Sequence, residues 1–223
     1  SKKMTMTYGK DYYSTTFAEN NNIKWILDGE VLTISGSGAM PGYSSNTKAP
    51  WYMFRNSIKS VIIEAGITKI GNYTFYDCDG VSSITIPSGV TSIGDYAFYH
   101  CDGFTSIMIP EGVTSIGKGA FRSCKKLTGI EIPEGVTRIE YEMFSECSKL
   151  ANVTIPCSVS YIGDYAFYNC SGLSSVKYGG SRAEWYLMPT NYYTSFDTSK
   201  KMTMTYGKDY YSTTFAENNN IKW

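Results

Sequence analysis

Five of the six cysteines recur at one constant spacing, and this row is the pattern in the chain most suggestive of chemistry: Cys78, Cys101, Cys124, Cys147 and Cys170. Regularly spaced thiols could form disulfides or bind zinc. Stacked strands lie about 4.8 Å apart, so parallel side chains would hold their Cβ atoms farther apart than the ~3.8 Å of a disulfide. A straight row also lacks the tetrahedral arrangement that zinc requires. The spacing therefore predicts a structural column of buried thiols, with Cys157 outside it.

The other reactive residue types are too sparse to build a site. His100 is the single histidine, and the repeat frame places no nucleophile beside it. The carboxylates of "DCDG" at 77–80 and "HCDG" at 100–103 fall far short of the six or more oxygen ligands of a calcium site. The sequence therefore predicts no catalytic residue, no metal, no cofactor and no enzymatic activity.

Composition excludes two further classes of partner. Twenty basic and twenty acidic residues cancel, and no basic block predicts binding to nucleic acid. No apolar run reaches the roughly 18 residues that a membrane-spanning helix needs, so no membrane span is predicted. The many Tyr, Gly, Ser, Thr and Asn residues favour strands and turns over helices.

The cysteine spacing belongs to a longer repeat that needs no gaps to align. Units such as "VSSITIPSGVTSIGDYAFYHCDG" follow one another from residue 58 to residue 172. One apolar column holds Ile58, Val81, Phe104, Leu127, Leu150 and Leu173, and another holds Phe75, Phe98, Phe121, Phe144 and Phe167. A fixed period of this length is typical of a stacked repeat protein, in which neighbouring units bury a shared core.

Each unit reads as two short extended segments and a corner. "SSITIP" alternates apolar and polar residues, which predicts a strand, and the proline ends it because proline has no N–H to donate. "VTSI" predicts a second short extended segment, and "GDYAFYHC" predicts about one turn of helix. A single unit buries too little apolar surface to offset the conformational entropy that it loses on folding. Stacking into a β-rich solenoid supplies the missing contacts.

These units closely resemble the BspA-like leucine-rich repeat, a 23-residue class found mostly on bacterial cell surfaces. The resemblance covers about residues 23–206. "IKWILDGEVLTISGSGAMPGYSSNTKAPWY" resembles the N-terminal cap of that family, and "VKYGGSRAEWYLM" its closing motif. The resemblance implies a right-handed stack of about five 23-residue units, with an N-terminal β-hairpin cap and a C-terminal closing strand.

The opening segment at 1–25, "SKKMTMTYGKDYYSTTFAENNNIKW", returns unchanged at 199–223. The second copy stops at Trp223, inside a segment that reads as the first strand of the cap hairpin built around Asp28-Gly29. We interpret the chain as a window on a tandem array with a 198-residue period. An engineered duplication that forces strand exchange between chains is the alternative.

This interpretation divides the chain as follows: a closing strand of the preceding copy at 1–9, a Tyr/Asn-rich linker at 10–22, the N-terminal cap at 23–57, five repeats at 58–172, the C-terminal cap at 173–207, and a linker with the first strand of the next copy at 208–223. "KMTMTYG" at 201–207 alternates in the way that a last strand would.

Two groups of residues are candidate contact surfaces. Residues at the joints between copies are expected to mediate inter-domain contacts, because tyrosines with polar handles favour interfaces: Trp25, Tyr192, Tyr193, Phe196, Met202, Met204, Tyr206, Tyr210, Tyr211 and Phe215. The outward face of the first strand ladder is broad and flat, which suits a protein or glycan better than a small substrate: Thr85, Met108, Glu131, Thr154 and Lys177.

The sequence thus predicts a non-catalytic structural or adhesive protein of the bacterial cell surface, whose partners are identical neighbouring domains or chains arranged head to tail. An alternative is an adhesin module that grips a host or matrix protein, or a glycan, with its outward sheet face.

Overall fold

The computed structural model describes residues 23–189, 195–196 and 202–207 in full, and residues 4–8, 12–17 and 212–215 through their strand pairing alone. The strands are, in chain order, β1 (Met4–Tyr8), β2 (Tyr12–Phe17), β3 (Lys24–Asp28), β4 (Val31–Ser35), β5 (Gly38–Ala39), β6 (Ser60–Ile63), β7 (Ile67–Ile70), β8 (Ser83–Thr85), β9 (Ser92–Ile93), β10 (Ser115–Ile116), β11 (Gly129–Glu131), β12 (Arg138–Ile139), β13 (Asn152–Ile155), β14 (Tyr161–Ile162), β15 (Ser175–Tyr178), β16 (Met202–Tyr206) and β17 (Ser212–Phe215). A 3-10 turn spans Tyr52–Phe54, and helix α1 spans Arg182–Leu187.

The N-terminal region is antiparallel. Strands β1, β2, β3 and β4 pair in that order, and β4 then pairs in parallel with β6 of the first repeat. The hairpin predicted around Asp28-Gly29 is present, with Asp28 opposite Val31 and Gly29 at φ +55°. The positive φ explains the glycine, since it is the residue that adopts this conformation without steric cost.

The repeats form parallel ladders in which each residue faces the equivalent residue of the next unit. Ile62 lies opposite Thr85 in the first ladder, and Thr154 lies opposite Lys177 farther along. The second extended segment forms its own ladders, β5-β7-β9-β10 and β12-β14. Among the described residues the first ladder is interrupted between β8 and β11, where residues 106–110 form no strand. The fold is therefore a leucine-rich-repeat-type arrangement of mostly parallel strands.

The corner of each unit is a turn and not a helix, so the predicted helical turn is wrong. In the second unit Tyr96 and His100 have φ +52° and +56°, which is left-handed backbone that cannot continue an α-helix. Their amides donate forward to the carbonyls of Lys118 and Arg122, both at 2.8 Å. The same two columns are left-handed in the other repeats: Tyr73, Gly119, Glu142 and Tyr165, and Asp77, Ser123, Glu146 and Asn169. The corners thus form a third ladder between units.

The core runs along the stack as continuous rows of apolar side chains, and the phenylalanine row is uniform. Phe121 stacks on Phe98 with ring centroids 5.3 Å apart, and on Phe144 at 5.6 Å, with the rings within 9° of parallel. The apolar columns identified from the sequence are buried throughout. Each unit therefore shares its core with both neighbours, as a stacked repeat requires.

The C-terminal end is covered by α1 and β16. Ser181 and Glu184 form a reciprocal capping box that starts α1, and α1 buries Trp185 against Tyr178, with ring centroids 5.3 Å apart. Strand β16, where the closing strand was predicted, pairs in parallel with β15. Its alternating side chains follow the predicted period of two, and Met204 is fully buried.

Two segments contain strands where the sequence analysis placed linkers. Residues 10–22 were interpreted as a linker, yet they contain β2, which pairs with β1 on one side and with β3 on the other. The segment 208–223 likewise contains β17, paired with β16. The strand-forming residues of these segments, "YYSTTF", are the β-branched and aromatic types that favour sheets.

Candidate interaction surfaces

The cysteine column lies in the buried interior. All five members are buried reduced thiols, whereas Cys157 is exposed. The Sγ of Cys124 donates to the carbonyl of Phe98 at 3.2 Å, and the Sγ of Cys147 donates to that of Phe121 at 3.1 Å. Burial raises the pKa of Cys124 to about 12, so the column presents neither thiolate nucleophiles nor ready metal ligands.

The outward face of the first ladder is largely accessible. Thr85, Glu131 and Lys177 are exposed, and Thr154 is half-buried. Met108 is 84% exposed, and it lies at the interruption of the ladder. Met108 is thus the one large apolar side chain among the five predicted residues of this face, and it is almost fully open to solvent.

A hydrogen-bonded cluster that sequence reasoning missed surrounds His100. Nδ1 of His100 lies 2.7 Å from a carboxylate oxygen of Asp77, and the Tyr52 hydroxyl donates to the other oxygen at 3.0 Å. Asp79 completes a group whose ligand atoms lie within 4.8 Å of one another. Partial burial alone would raise the pKa of Asp77, but the bonds from His100 and Tyr52 outweigh it, so the pKa lies below its usual value.

The atoms of this cluster that could bind a metal already have protein partners. Arg55 lies 3.5 Å from Asp77, and on the other side of the ring Nε2 of His100 lies 3.2 Å from Nζ of Lys125. The positive charges of Arg55 and Lys125 so close to these groups favour an internal ion network over a bound metal. We interpret the cluster as a polar network that links the N-terminal cap to the first repeats.

A second such network lies farther along the corners. Arg122 pairs with Glu142 and, at 2.7 Å, with Glu146, which also accepts a hydrogen bond from Ser123 at 2.8 Å. Partial burial would raise the pKa of Glu146, but the bonds from Ser123 and Arg122 lower it below its usual value. This network ties the third unit to the fourth.

Tyrosines stack along the same corners. The ring centroids of Tyr73 and Tyr96 lie 5.1 Å apart, as do those of Tyr76 and Tyr99. Nζ of Lys48, in the cap, lies 3.8 Å from the centroid of Tyr76. The tyrosines occupy equivalent positions in "GNYTFY" at 71–76 and "GDYAFY" at 94–99. This spacing predicts their stacking once the corners are known to repeat in register.

The predicted joint residues whose side chains the structure describes separate into three groups. Trp25 is buried in the chain's own cap, edge-on to Trp51 at 6.2 Å. Phe196 stacks on Phe167 at 5.0 Å and extends the phenylalanine row. Met202, Met204 and Tyr206 are buried beside β15. Only the backbone pairing of Phe215 is described, and Tyr192, Tyr193, Tyr210 and Tyr211 lie outside the described residues.

These ladders and shared core rows define a leucine-rich repeat protein. The chain belongs to the BspA type leucine rich repeat region family, whose model matches residues 47–174 in six copies. The resemblance inferred from the sequence is therefore confirmed. The match begins at residue 47, before residue 58, where the sequence analysis placed the first of five complete units.

Solved structures agree with this assignment. A leucine-rich repeat protein from Eubacterium ventriosum is 33% identical, with a TM-score of 0.66 over 75% of this chain and 44% of that one. The chain thus spans less than half the length of that relative. A Treponema pallidum leucine rich repeat protein, 23% identical over 72% of this chain and 84% of its own, has a TM-score of 0.51 and shows the same fold. No curated protein matches the chain.

Helices in the described residues are too short or too polar to cross a bilayer.

Proposed function

We propose that this chain is a non-catalytic structural protein of the bacterial cell surface, built from 198-residue blocks that join head to tail into an extended array. Membership of the leucine-rich repeat family supports a role in protein interaction. The surface location is what the resemblance to BspA-like repeats implies.

One observation carries the array. The segments 1–25 and 199–223 are identical in sequence, and their described strands pair in the same way, β1 with β2 in the N-terminal sheet and β16 with β17 in the C-terminal sheet. An element that recurs in one conformation at both ends is suited to connecting successive blocks. The buried core rows between the ends make each block a stiff unit.

Chains of increasing block number test the array. Appending residues 26–223 once or twice after Trp223 continues the 198-residue period without a break. We expect the maximum dimension from X-ray scattering, and the rod length in electron micrographs, to grow by the same increment with each block. Blocks that fold back into a compact particle would overturn the array. Cell-surface display is checked separately by protease accessibility on intact cells.

Adhesion through the outward face is the second candidate, and Met108 favours it. Its 84% exposure, with Ile62 also 39% exposed on the same face, provides the apolar anchor that protein interfaces use. Met108→Lys should abolish capture of matrix proteins or glycans from a surface panel, whereas Thr114→Lys on the second ladder should not. If Met108→Lys leaves every captured ligand bound, this face is not the binding surface.

A further inference from the structure

The two copies of the repeated segment form one and the same hairpin. In the first copy Met4 lies opposite Phe17 and Met6 opposite Thr15. In the second copy Met202 lies opposite Phe215, and Met204 opposite Thr213. Every described pair of the second copy is a pair of the first shifted by the same 198 positions, so the register is a property of the segment and does not depend on its surroundings.

The hairpin has a different neighbour at each end of the chain. At the N-terminal end β2 pairs antiparallel with β3, and Thr15 lies opposite Trp25. At the C-terminal end β16 pairs in parallel with β15, and Met204 lies opposite Val176. The first copy is thus bound through its second strand, and the second copy through its first strand.

Each copy leaves open the edge that the other copy uses. Within the described residues β1 is the outermost strand of its sheet, and β17 is the outermost strand of the C-terminal sheet. An outermost strand presents a row of unpaired backbone donors and acceptors that can accept a further strand. The second copy therefore shows the neighbour of the hairpin's first strand, which is β15, and the first copy shows the neighbour of its second strand, which is β3.

We infer that one hairpin serves two blocks at once, so that a single hydrogen-bonded sheet runs through the joint in the order β15, β16, β17 and then β3 of the next block. This inference rests on the proposed array and names its joint. The partner is the next copy of the block, and its register is fixed. Val176 faces Met204, which corresponds to Met6 of the first copy, and Thr213 faces the Trp25 position of the next block.

The shared hairpin also explains why the segment must satisfy two different neighbours. One strand has to accept a parallel partner from the last repeat, while the other accepts an antiparallel partner from the cap. A flexible linker would have neither requirement, because its length and composition alone set how far apart the blocks lie. The two models therefore differ in how rigidly they fix the spacing of the blocks.

A two-block chain, residues 1–223 followed by residues 26–223, distinguishes them. Cys157 is exposed while the column cysteines are buried, so a spin label reacts once per block. Ten steps along the shared sheet separate the labels, counting the position between β8 and β11 where the ladder is interrupted, and at about 4.8 Å each this corresponds to roughly 50 Å. Pulsed electron paramagnetic resonance should give one narrow distance distribution near this value. A broad distribution overturns the shared sheet.

Two variants of the middle hairpin sharpen the test. A Gly-Ser-Gly-Ser insertion between positions 219 and 220 should leave the distance unchanged, since strand pairing and not chain length sets it. Thr214→Pro should broaden the distribution, because proline cannot donate to a ladder, while the thermal unfolding of the repeats confirms that both blocks stay folded. A distance that grows with the insertion contradicts the shared sheet.

The outcomes separate the joint from the array. Extended two-block particles with a broad label distribution would refute the shared sheet and leave the array standing. Compact particles with the blocks side by side would refute both. Extended particles with a narrow, insertion-independent distance support both.

Discussion

From Cys101 onward, each column cysteine donates to the carbonyl of the phenylalanine 26 positions earlier, in the preceding unit. For Cys170 the acceptor is Phe144, at 3.0 Å. The thiol thus fills a small apolar space and also satisfies a buried carbonyl. Serine would offer a stronger donor but a more polar side chain. Alanine would remove the thiol donor, which leaves the carbonyl of Phe144 with only the backbone N–H of Cys147.

Thiol reactivity tests this arrangement. Burial raises the pKa of Cys78 and of Cys124 to about 12, so almost no thiolate is present at pH ~8. We expect Ellman's reagent to titrate one thiol in the native chain, Cys157, and all six after denaturation in guanidinium. The variant Cys157→Ala should show no fast-reacting thiol. A second fast thiol in that variant would place a column cysteine at the surface.

The Asp77 carboxylate should make stability depend on pH. Its pKa is lower in the folded chain than in the unfolded one, so its contribution is present above pH ~4 and is lost as the pH falls through the folded pKa. Solvent screens this half-buried group. We therefore expect Asp77→Asn to lower the free energy of unfolding by at most about 1 kcal/mol at neutral pH, with the difference shrinking below pH ~4.

Urea unfolding at neutral pH and at pH ~3 measures this effect. Glu111→Gln, at an exposed position, is the matched control and should change stability little at either pH. If the free energies of unfolding of Asp77→Asn and of the parent chain differ equally at both pH values, the charge of Asp77 contributes nothing to the network between the cap and the repeats.

At the scale of the element, the strands were predictable and the corners were not. The alternation in "SSITIP" and the proline after it specify an extended segment, and β8 lies there. "GDYAFYHC" lacks the apolar-polar alternation of a strand, and the sequence analysis therefore predicted about one turn of helix there. The left-handed backbone at Tyr96 and His100 arises because their amides bond to the next unit, a partner that no single unit contains.

Gly119 tests the corner directly. It has φ +57°, and an added Cβ would overlap the Tyr96 ring. We expect Gly119→Ala to destabilise the chain by roughly 1–3 kcal/mol, through the strained backbone and the displaced ring. Gly129→Ala is the control, because its Cβ would meet nothing closer than 3.6 Å. Equal effects of the two changes on the urea midpoint would contradict this account.

The same limit applies to the ion clusters. Asp77, His100 and Lys125 lie in successive units at nearly one column, so their adjacency follows from the 23-residue offset. Their hydrogen bonds and ion pairs do not follow from the sequence, because the residue type alone does not say whether a charged side chain is solvated or paired. The role of Cys157 as the exposed exception was predictable, since it is the one cysteine outside the column.

At the scale of the whole molecule, the stack needs a cover at each end, and β16 supplies one of them. Met204 is fully buried against the last repeat, whereas Thr205 is half-buried on the other face. Met204→Asp would bury a charge with no partner among the apolar residues around it, which costs several kcal/mol. We expect it to detach β16 and to raise amide exchange in the last repeats first.

Thr205→Asp is the matched control and should leave exchange in the last repeats unchanged. Because contacts in a stacked repeat are made only between neighbours, exchange in the first two units should also be unaffected by Met204→Asp. Uniform loss of protection along the chain would mean that the block unfolds as a single cooperative unit.

The constant 23-residue offset has a consequence for how such genes change length. A deletion or duplication of one whole unit by slippage of the DNA returns every ladder to the same register, so the shortened or lengthened protein has all its backbone bonds. A slip by a number of codons that is not a multiple of 23 shifts apolar residues out of the interior. Length can therefore vary in discrete steps of whole units, while the strands and the helix that cover the two ends of the stack stay unaltered.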